Sequence, residues 1–328
     1  MTTLFNLLVA AVTFGTVLMF GTLGEILTEK SGNLNLGVEG IMYMGGAFGL
    51  AGAFYYEKLV GVDASVGFVA ILIAILAAFL AGAAASLIFS FLTITLRTNQ
   101  NVTGLALTIF GTGVGQFTGE LMRVKEGGYV ALSNGLKDAF NASIFPKFMQ
   151  DIPFLGKLLF SHTSFFYLAI VVAILMYLFF AKTKTGLYLR AVGESPATAD
   201  AAGINITKYK YLATIIGGGI SAIGGMVYIM TTAGCVWNHE GLSGVGWLAV
   251  ALVIFCLWKP MNAIWGSILF GALMIMYLRV IILFIPTEIY KILPYVVTVI
   301  VLILSSMRNN KEKQPPASLG LNYFREDR

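Results

Sequence analysis

The chain has 328 residues, of which 58% are hydrophobic and only 11% are charged, and its mean hydropathy is +0.84. A soluble domain carries about 25% charged residues, so this composition excludes a soluble globular protein. The net charge of +5 reflects basic residues on the cytoplasmic side of a membrane and does not indicate nucleic-acid binding. Backbone polar groups in lipid must be satisfied within their own segment, so we expect an all-α polytopic membrane protein.

Nine apolar stretches follow one another along the chain. A helix needs about 20 residues to cross the hydrocarbon core of a bilayer, so we expect about 8–10 transmembrane helices. The stretch 246–258 is short and is expected to cross only in part, whereas 67–95 is long and is expected to be tilted. The nine stretches are residues 4–24, 36–56, 67–95, 102–119, 164–181, 211–230, 246–258, 262–284 and 290–305.

The distribution of basic residues predicts the orientation of the chain. Lysine and arginine are concentrated in the loop 182–210 and in the segment after residue 305. Four predicted spans separate these two regions, so both are expected in the cytoplasm, with the N-terminus and the loop 120–163 outside. No cleavable signal peptide is expected, because no basic residue precedes the first apolar stretch.

We divide the chain into a transmembrane domain, residues 1–306, and a cytoplasmic tail, residues 307–328. The tail contains the sequence Gln-Pro-Pro at 314–316 and is expected to be disordered. The two cysteines, Cys235 and Cys256, lack the spacing of a disulfide framework or a metal site. We therefore expect both of them to be buried thiols.

The loop 182–210 contains a predicted short helix with signals at both ends. Ser195 can cap its start, Pro196 suits its first position, and Gly203 suits the residue just past its end. These signals bracket about seven residues, or about 10 Å of helix, with small side chains that allow close contact. A flexible connector has no use for caps, so we expect this helix to dock on a partner. The predicted docking residues are Ser195, Pro196, Ala197, Thr198, Ala199, Asp200, Ala201, Ala202 and Gly203.

Two polar stretches, 31–40 and 98–104, each lead into an apolar span. Polar residues at membrane depth are costly and face an interior or a watery path, and broken helices are tolerated where they line one. A plain loop explains the first stretch equally well, and both interpretations stay open. Gly111, Gly115 and Gly119 have the spacing that favours close helix packing. The candidates for a translocation path are Asn33, Asn35, Glu39, Asn99, Gln100, Asn101 and Thr103.

Several chemistries lack their motifs in this sequence. It contains no phosphate-binding loop of the form Gly-x-x-x-x-Gly-Lys-[Ser/Thr]. His162 and His239 are isolated, so no metal ligands are assigned, and no Ser/His/Asp set is recognisable. We therefore assign no catalytic residues and expect a transport subunit rather than an intramembrane enzyme. Sparse intramembrane charge also disfavours an ion-coupled carrier, and a simple channel would not need the capped helix.

Four segments resemble a known family. The stretch from Glu29 to Gly40 is similar to the signature of permease subunits of ATP-binding-cassette (ABC) importers. Three further segments match in the family's order: Arg97–Thr108, Gly186–Gly203, and Gly246–Gly266. The resemblance is to the branch that takes up nucleosides and works with lipoproteins of the basic-membrane-protein type. That branch is related to the permeases for simple sugars and branched-chain amino acids.

The resemblance implies a fold, partners and a mechanism. It implies the ABC importer permease fold, in the plasma (inner) membrane of a prokaryote. Its partners would be a separate cytoplasmic ATPase, which holds the ATP and Mg²⁺, an extracytoplasmic binding lipoprotein and a second permease subunit. A heterodimer is the expected pair, and a homodimer stays open. The family's coupling helix maps onto Ser195–Gly203.

The expected cargo is a nucleoside, with a simple sugar or another small polar solute as the alternative. Asn, Gln and Thr side chains would suit the hydroxyls and ring edges of a nucleoside. Selectivity could equally lie in the binding protein, in which case the membrane path holds no strong site.

Overall fold

The computed structural model describes residues 2–150, 152, 156, 159–279, 292, 293, 296–300, 303 and 314–324. These residues form helices joined by turns, so the expectation of an all-α membrane protein is confirmed. Much of the predicted span 290–305 lies outside the described residues, as does the end of 262–284. The helices are α1 (Thr2–Glu29), α2 (Val38–Val60), α3 (Gly67–Ser90), α4 (Gln100–Lys125), α5 (Asn134–Asn141), α6 (Lys147–Gln150), α7 (Ser164–Lys182), α8 (Lys184–Glu194), α9 (Pro196–Ala201), α10 (Ile206–Val227), α11 (Val245–Phe255) and α12 (Pro260–Arg279).

Among the described residues, four helices are long and apolar enough to cross a membrane: Leu7–Glu29 in α1, Gly67–Thr95, Ser164–Lys182 in α7, and Ile206–Thr232. Two of these spans end in a π-helical turn, which continues α3 to Thr95 and α10 to Thr232. The chain is therefore a multi-pass membrane protein. Helix α4 is as long as these spans but less apolar, and it alternates Gly, Thr and Gln with apolar residues.

Helices α1, α2 and α10 form the centre of the bundle, and glycines allow their backbones to approach closely. A Cβ added at Gly24 of α1 would lie 2.2 Å from the carbonyl oxygen of Gly217 on α10. Small residues at such crossings let helices associate through backbone contact in lipid. The central position of α1 follows from this packing, because its buried side chains contact α10 on one face and α12 on another.

The glycine stripe of α4 packs against α2, as its spacing predicts. A Cβ at Gly111 would lie 2.6 Å from the carbonyl carbon of Gly40, and one at Gly115 would lie 2.8 Å from that of Tyr43. Gly113, between them in sequence, faces open space. The stripe therefore sets the contact between two helices, and the opposite face of α4 stays exposed.

The connections gather at two opposite ends of the bundle. At one end, which we call the coupling end, lie residues 30–37, 96–99, 183–205 and 314–324. At the other, Lys58 pairs with Glu126 at 2.6 Å, and residues 130–132 pair with residues 235–237 through backbone hydrogen bonds. Successive long helices run between these two ends in alternating directions.

The C-terminal segment differs from its expectation. Disorder was expected from residue 307 onward, but residues 314–324 pack against the coupling end. Ser318 is 7% exposed, and its backbone N–H donates to the carbonyl oxygen of Gly193 at 3.1 Å. Turns at Ala317–Gly320 and hydrogen bonds to four other segments hold this stretch in place. The composition of the tail predicted disorder. The contacts that order it come from residues distant in sequence, which composition does not reveal.

Candidate coupling surface and translocation path

Helix α9 is capped as its sequence predicts. The Ser195 hydroxyl accepts the backbone N–H of Thr198 at 3.4 Å, Pro196 is the first helical residue, and Gly203 follows the helix with φ +79°. The helix spans six residues, Pro196–Ala201, which is close to the expected seven. Caps at both ends fix a short helix that would otherwise be marginal in water.

One face of α9 is anchored and the other is free. Ala199 is 3% exposed and packs in a small apolar cluster with Val192 of α8 and Ile206 of α10. The exposed face consists of Ala197, Thr198, Ala201 and Ala202. A small, flat, exposed face on a rigidly seated helix is what a docking contact needs. That α9 couples to an ATPase stays a prediction.

A second helix in the same loop, α8, was not predicted. It begins at Lys184, where the Thr183 hydroxyl accepts the N–H of Gly186 at 3.0 Å. Gly186 lies so close to α7 that a Cβ there would be 2.0 Å from the carbonyl oxygen of Phe179. The available signal for this helix was the capping residue Thr183, but our prediction placed a helix only after the cap at Ser195.

The C-terminal segment connects α9 to the neighbouring turns. The Tyr323 hydroxyl donates to the Asp200 carboxylate of α9 at 2.9 Å. The Ser318 hydroxyl donates to Gly193 at the end of α8, and the N–H of Gly320 donates to the carbonyl oxygen of Gly32 at 3.2 Å. The tail therefore joins the candidate coupling helix to the turn that follows α1.

The same segment reaches the start of α4. The Asn322 amide donates to the carbonyl oxygen of Arg97 at 2.6 Å and to that of Thr98 at 3.1 Å. The Arg97 guanidinium lies 4.8 Å from the centroid of the Phe324 ring. Gln100 contacts both the tail and the turn between α1 and α2. Its Oε1 accepts the N–H of Leu34 at 2.7 Å, and its Nε2 donates to Asn322 Oδ1 at 3.3 Å.

A polar cavity of about 460 Å³ opens beside α9 and the tail. Arg97 and Lys210 bring positive charge to its wall, and Asp200 brings negative charge. Lys210 is 4% exposed, so its ammonium is held within this wall. On the same end of the molecule, burial lowers the pKa of Lys30, and the nearby carboxylate of Glu194 opposes that shift.

Within the stretch 31–40, residues 31–37 form a buried, non-helical connection between α1 and α2, and residues 38–40 begin α2. Asn33 is fully buried, and its amide donates to the Thr214 hydroxyl of α10 at 2.9 Å. Asn35 is 1% exposed, its N–H donates to Glu25 at 3.1 Å, and its Oδ1 accepts the N–H of Gly37 at 2.9 Å. Within the described residues, the Oδ1 of Asn33 and the Nδ2 of Asn35 lack partners.

Glu39 caps a second helix. Its carboxylate accepts backbone N–H groups from Gly244 at 2.6 Å, Gly246 at 2.7 Å and Trp247 at 3.2 Å. These groups belong to the start of α11, and the first N–H groups of a helix have no partner within it. Helix α11 has 11 residues, or about 16 Å, so the short span expected here is indeed partial.

The remaining path candidates lie at the start of α4. The Asn99 side chain caps the helix by accepting the N–H of Val102 at 3.1 Å. The Thr103 hydroxyl donates to the carbonyl oxygen of Asn99 at 2.8 Å. Gln100 is 3% exposed, whereas Asn99 and Asn101 are exposed. The predicted path residues thus fall into a buried group and an exposed pair, and their role in transport stays a prediction.

The structure also brings together a polar segment that the sequence reading passed over. Residues 233–244 connect the π-turn after α10 to the start of α11 without helical structure, and residues 238–244 are the polar part of this connection. Asn238, His239, Glu240 and Ser243 are exposed there. The available signal was the run Asn-His-Glu-Gly-Leu-Ser-Gly directly before an unusually short apolar span.

Residues 7–302 match the family model for the branched-chain amino acid transport system / permease component. The chain belongs to this family of ABC transporter permeases.

Three relatives are similar over most of their length. The guanosine ABC transporter permease protein of Bacillus subtilis is 33% identical over 80% of this chain and 78% of its own. The nucleoside ABC transporter permease protein of Lactococcus lactis subsp. cremoris is 31% identical over 95% of this chain and 94% of its own. A Haloferax volcanii protein, named provisionally as a glucose ABC transporter permease, is 33% identical over 84% and 77%.

Proposed function

We propose that this chain is the membrane-spanning permease subunit of an ATP-driven importer that carries nucleosides. The observation that carries the proposal is similarity at 31–33% identity to a guanosine and a nucleoside permease, over 80–95% of the chain. The polar, largely uncharged connections at the start of α2 and α4 suit a neutral cargo rich in hydrogen-bonding groups.

The ATP hydrolysis of this importer takes place on a separate cytoplasmic subunit. The sequence has no phosphate-binding loop, and the exposed face of α9 is small and rigidly seated. The ATPase docks on this face, so that its closure moves α9 as a unit. The coupling end is then cytoplasmic, and the N-terminus lies outside.

The permease works as one of two permease subunits around a central path, and an extracytoplasmic binding protein delivers the cargo. In our preferred arrangement the second subunit has a different sequence, and a homodimer is the alternative. The exposed face of α4 is our candidate surface for the second subunit, because the glycine face of this helix is already used by α2.

A simple sugar is the second candidate cargo, because the relative named for glucose is as similar as the nucleoside permeases. Competitive uptake separates the two. Cells with and without this chain receive radiolabelled uridine, guanosine or glucose at equal concentrations. We expect saturable nucleoside uptake that disappears with the chain. Loss of glucose uptake with intact nucleoside uptake would identify a sugar as the cargo and leave the assignment as an importer subunit unchanged.

A further inference from the structure

The non-helical segment 238–244 runs from near the end opposite the coupling end into the interior of the bundle. Near its start, the His239 Nδ1 lies 3.4 Å from a carboxylate oxygen of Glu120, in the last two turns of α4. At its start, the carbonyl oxygen of His239 accepts a hydrogen bond from the Gln116 amide of α4 at 3.3 Å. At its end, the N–H of Gly244 donates to Glu39 in the first turn of α2. Between these points, the Cδ1 of Leu242 lies 3.0 Å from the position that a Cβ on Gly46 would occupy. The segment therefore descends beside α2 from the opposite end toward the coupling end.

The contacts of α2 with α4 give the depth of this descent. Gly40 lies against Gly111, the twelfth of the 26 residues of α4. Glu39, and with it Gly244, therefore lies near the middle of a helix that runs from one end of the bundle to the other. Helix α11 starts at that level and covers only the half of the membrane nearer the coupling end.

Irregular backbone at this depth cannot face lipid. Unsatisfied backbone groups are costly in hydrocarbon, and non-helical segments persist there only inside protein or along a water-filled cavity. Yet Ser243, one residue before Gly244, is exposed, as are Asn238, His239 and Glu240 nearer the end of the bundle. Polar side chains at membrane depth face a bundle interior or a watery path. The exposed side of this segment therefore faces water.

The exposed surface of α3 is apolar, in contrast to that of the descending segment. On α3 the exposed side chains are apolar, with Leu76 at 59% and Leu80 at 64%, as expected for contact with lipid. Gln116 of α4 faces the descending segment, since its amide donates to His239. Trp247 at the start of α11 is 38% exposed on that segment.

We propose that the segment Asn238–Trp247, together with Gln116 of α4, forms the site at which the solute is bound within the translocation path. This proposal rests on the proposed function and deepens it by placing the cargo. The chemical class is a neutral solute with a flat ring and several hydroxyls. The Trp247 ring offers a stacking face, while Glu240 and the Ser243 hydroxyl offer hydrogen bonds to hydroxyl groups.

Water access to the site is tested by thiol labelling of the Ser243→Cys variant in the assembled transporter in cells. The probe is a membrane-impermeant methanethiosulfonate reagent. The native Cys235 and Cys256 are fully buried, so the unaltered chain gives the background. The matched control is Leu76→Cys, which is exposed on an apolar helix surface. We expect the Ser243→Cys thiol to be labelled about tenfold faster than the Leu76→Cys thiol, because lipid excludes the reagent.

Solute binding is tested by repeating the labelling with excess uridine, and in parallel with excess glucose. Slower labelling in the presence of either solute supports the site, and the solute that protects identifies the cargo. Labelling of Ser243→Cys no faster than that of Leu76→Cys would overturn the proposal outright. Fast labelling that neither solute slows, in cells that still take up uridine, would overturn the binding site while leaving the importer function intact.

The role of the ring is tested by Trp247→Ala, with Trp265→Ala as its control. Trp265 is 76% exposed on α12, away from the segment. Stacking of a base on an aromatic side chain is worth enough that we expect about a tenfold loss of nucleoside uptake in Trp247→Ala at equal membrane levels. Trp265→Ala should keep its uptake. Equal uptake by both variants would contradict the assignment of Trp247.

Discussion

Single residues in this membrane protein do structural work that their chemistry alone does not announce. Glu39 was a candidate for the wall of a wet path, and the structure places its carboxylate on three backbone N–H groups of α11. An anionic group at a helix start is favoured by the exposed N–H groups and by the helix dipole. The residue therefore fixes where a half-length helix begins.

Replacement of Glu39 by Ala leaves those N–H groups buried without acceptors. Hydrogen bonds to a charged group contribute about 1.5–3 kcal/mol each, so Glu39→Ala should lower the stability of the purified protein substantially. Glu39→Gln keeps one oxygen and should lose less. Thermal unfolding in detergent measures both, with the exposed Asp63→Asn as control. An unfolding midpoint in Glu39→Ala equal to that of the control would refute the capping role.

The exposed alanines of α9 test the coupling assignment. Ala201→Trp or Ala202→Asp changes the docking face without entering the apolar cluster around Ala199. We expect ATP hydrolysis to continue while uptake falls by at least about tenfold, a change equivalent to about 1.4 kcal/mol of lost coupling. The control is Ala181→Trp, an exposed alanine at the end of α7. Normal uptake in both α9 variants would remove this helix from the coupling contact.

At the scale of elements, helix contact is set by which glycines lack room. Gly111→Ala places a methyl group 2.6 Å from the backbone of Gly40, whereas Gly113→Ala meets open space. Overpacking costs about 1–3 kcal/mol, so Gly111→Ala should lower the unfolding temperature. Gly113→Ala should leave it unchanged or raise it slightly, because Ala is the better helix former. Similar midpoints for the two variants would contradict the packing of α2 on α4.

The tail forms a second mechanical link at the coupling end. Tyr323 holds Asp200 of α9, and Asn322 holds the turn at Arg97 and Thr98. We predict that movement of α9 is passed through the tail to the start of α4 as well as along the chain to α10. A chain with this link cut should hydrolyse ATP with less transport per ATP.

Tyr323→Phe removes only the hydroxyl that contacts Asp200. We expect a lower ratio of uptake to ATP hydrolysis in this variant, and a larger drop when the chain is truncated after Lys313. Tyr188→Phe, on the exposed surface of α8, is the matched control. Ratios equal to that of the unaltered protein in both tail variants would assign the tail no part in coupling.

The sequence predicted the elements whose causes are local. The caps at Ser195, Pro196 and Gly203 act within a few residues, and the glycine stripe of α4 is visible in the spacing of that helix alone. The structure has both. The docked tail and the descending segment 238–244 depend on partners more than 120 residues away in the sequence, such as Gly32 for Gly320 and Gln116 for His239. Their composition alone resembles that of ordinary loops, so single-sequence reasoning had no means to place them.

At the scale of the whole molecule, the helix bundle carries one short surface helix and one half-length helix. The surface helix, α9, packs on α8 and α10. The half-length helix, α11, begins beside α2, where Glu39 caps it. Discontinuous helices near mid-membrane are a recurring feature of solute sites in transporters. The two features lie on opposite sides of the buried connection 30–37, which contacts the tail on one side and leads to Glu39 on the other.

The energy source is the most direct test of the central claim. The complete transporter, with its ATPase and second permease, is reconstituted in vesicles that contain ATP, a non-hydrolysable ATP analogue, or an imposed proton gradient without nucleotide. We predict that uridine accumulates with ATP alone, and only in the presence of the binding protein. Accumulation driven by the proton gradient in the absence of ATP would contradict it.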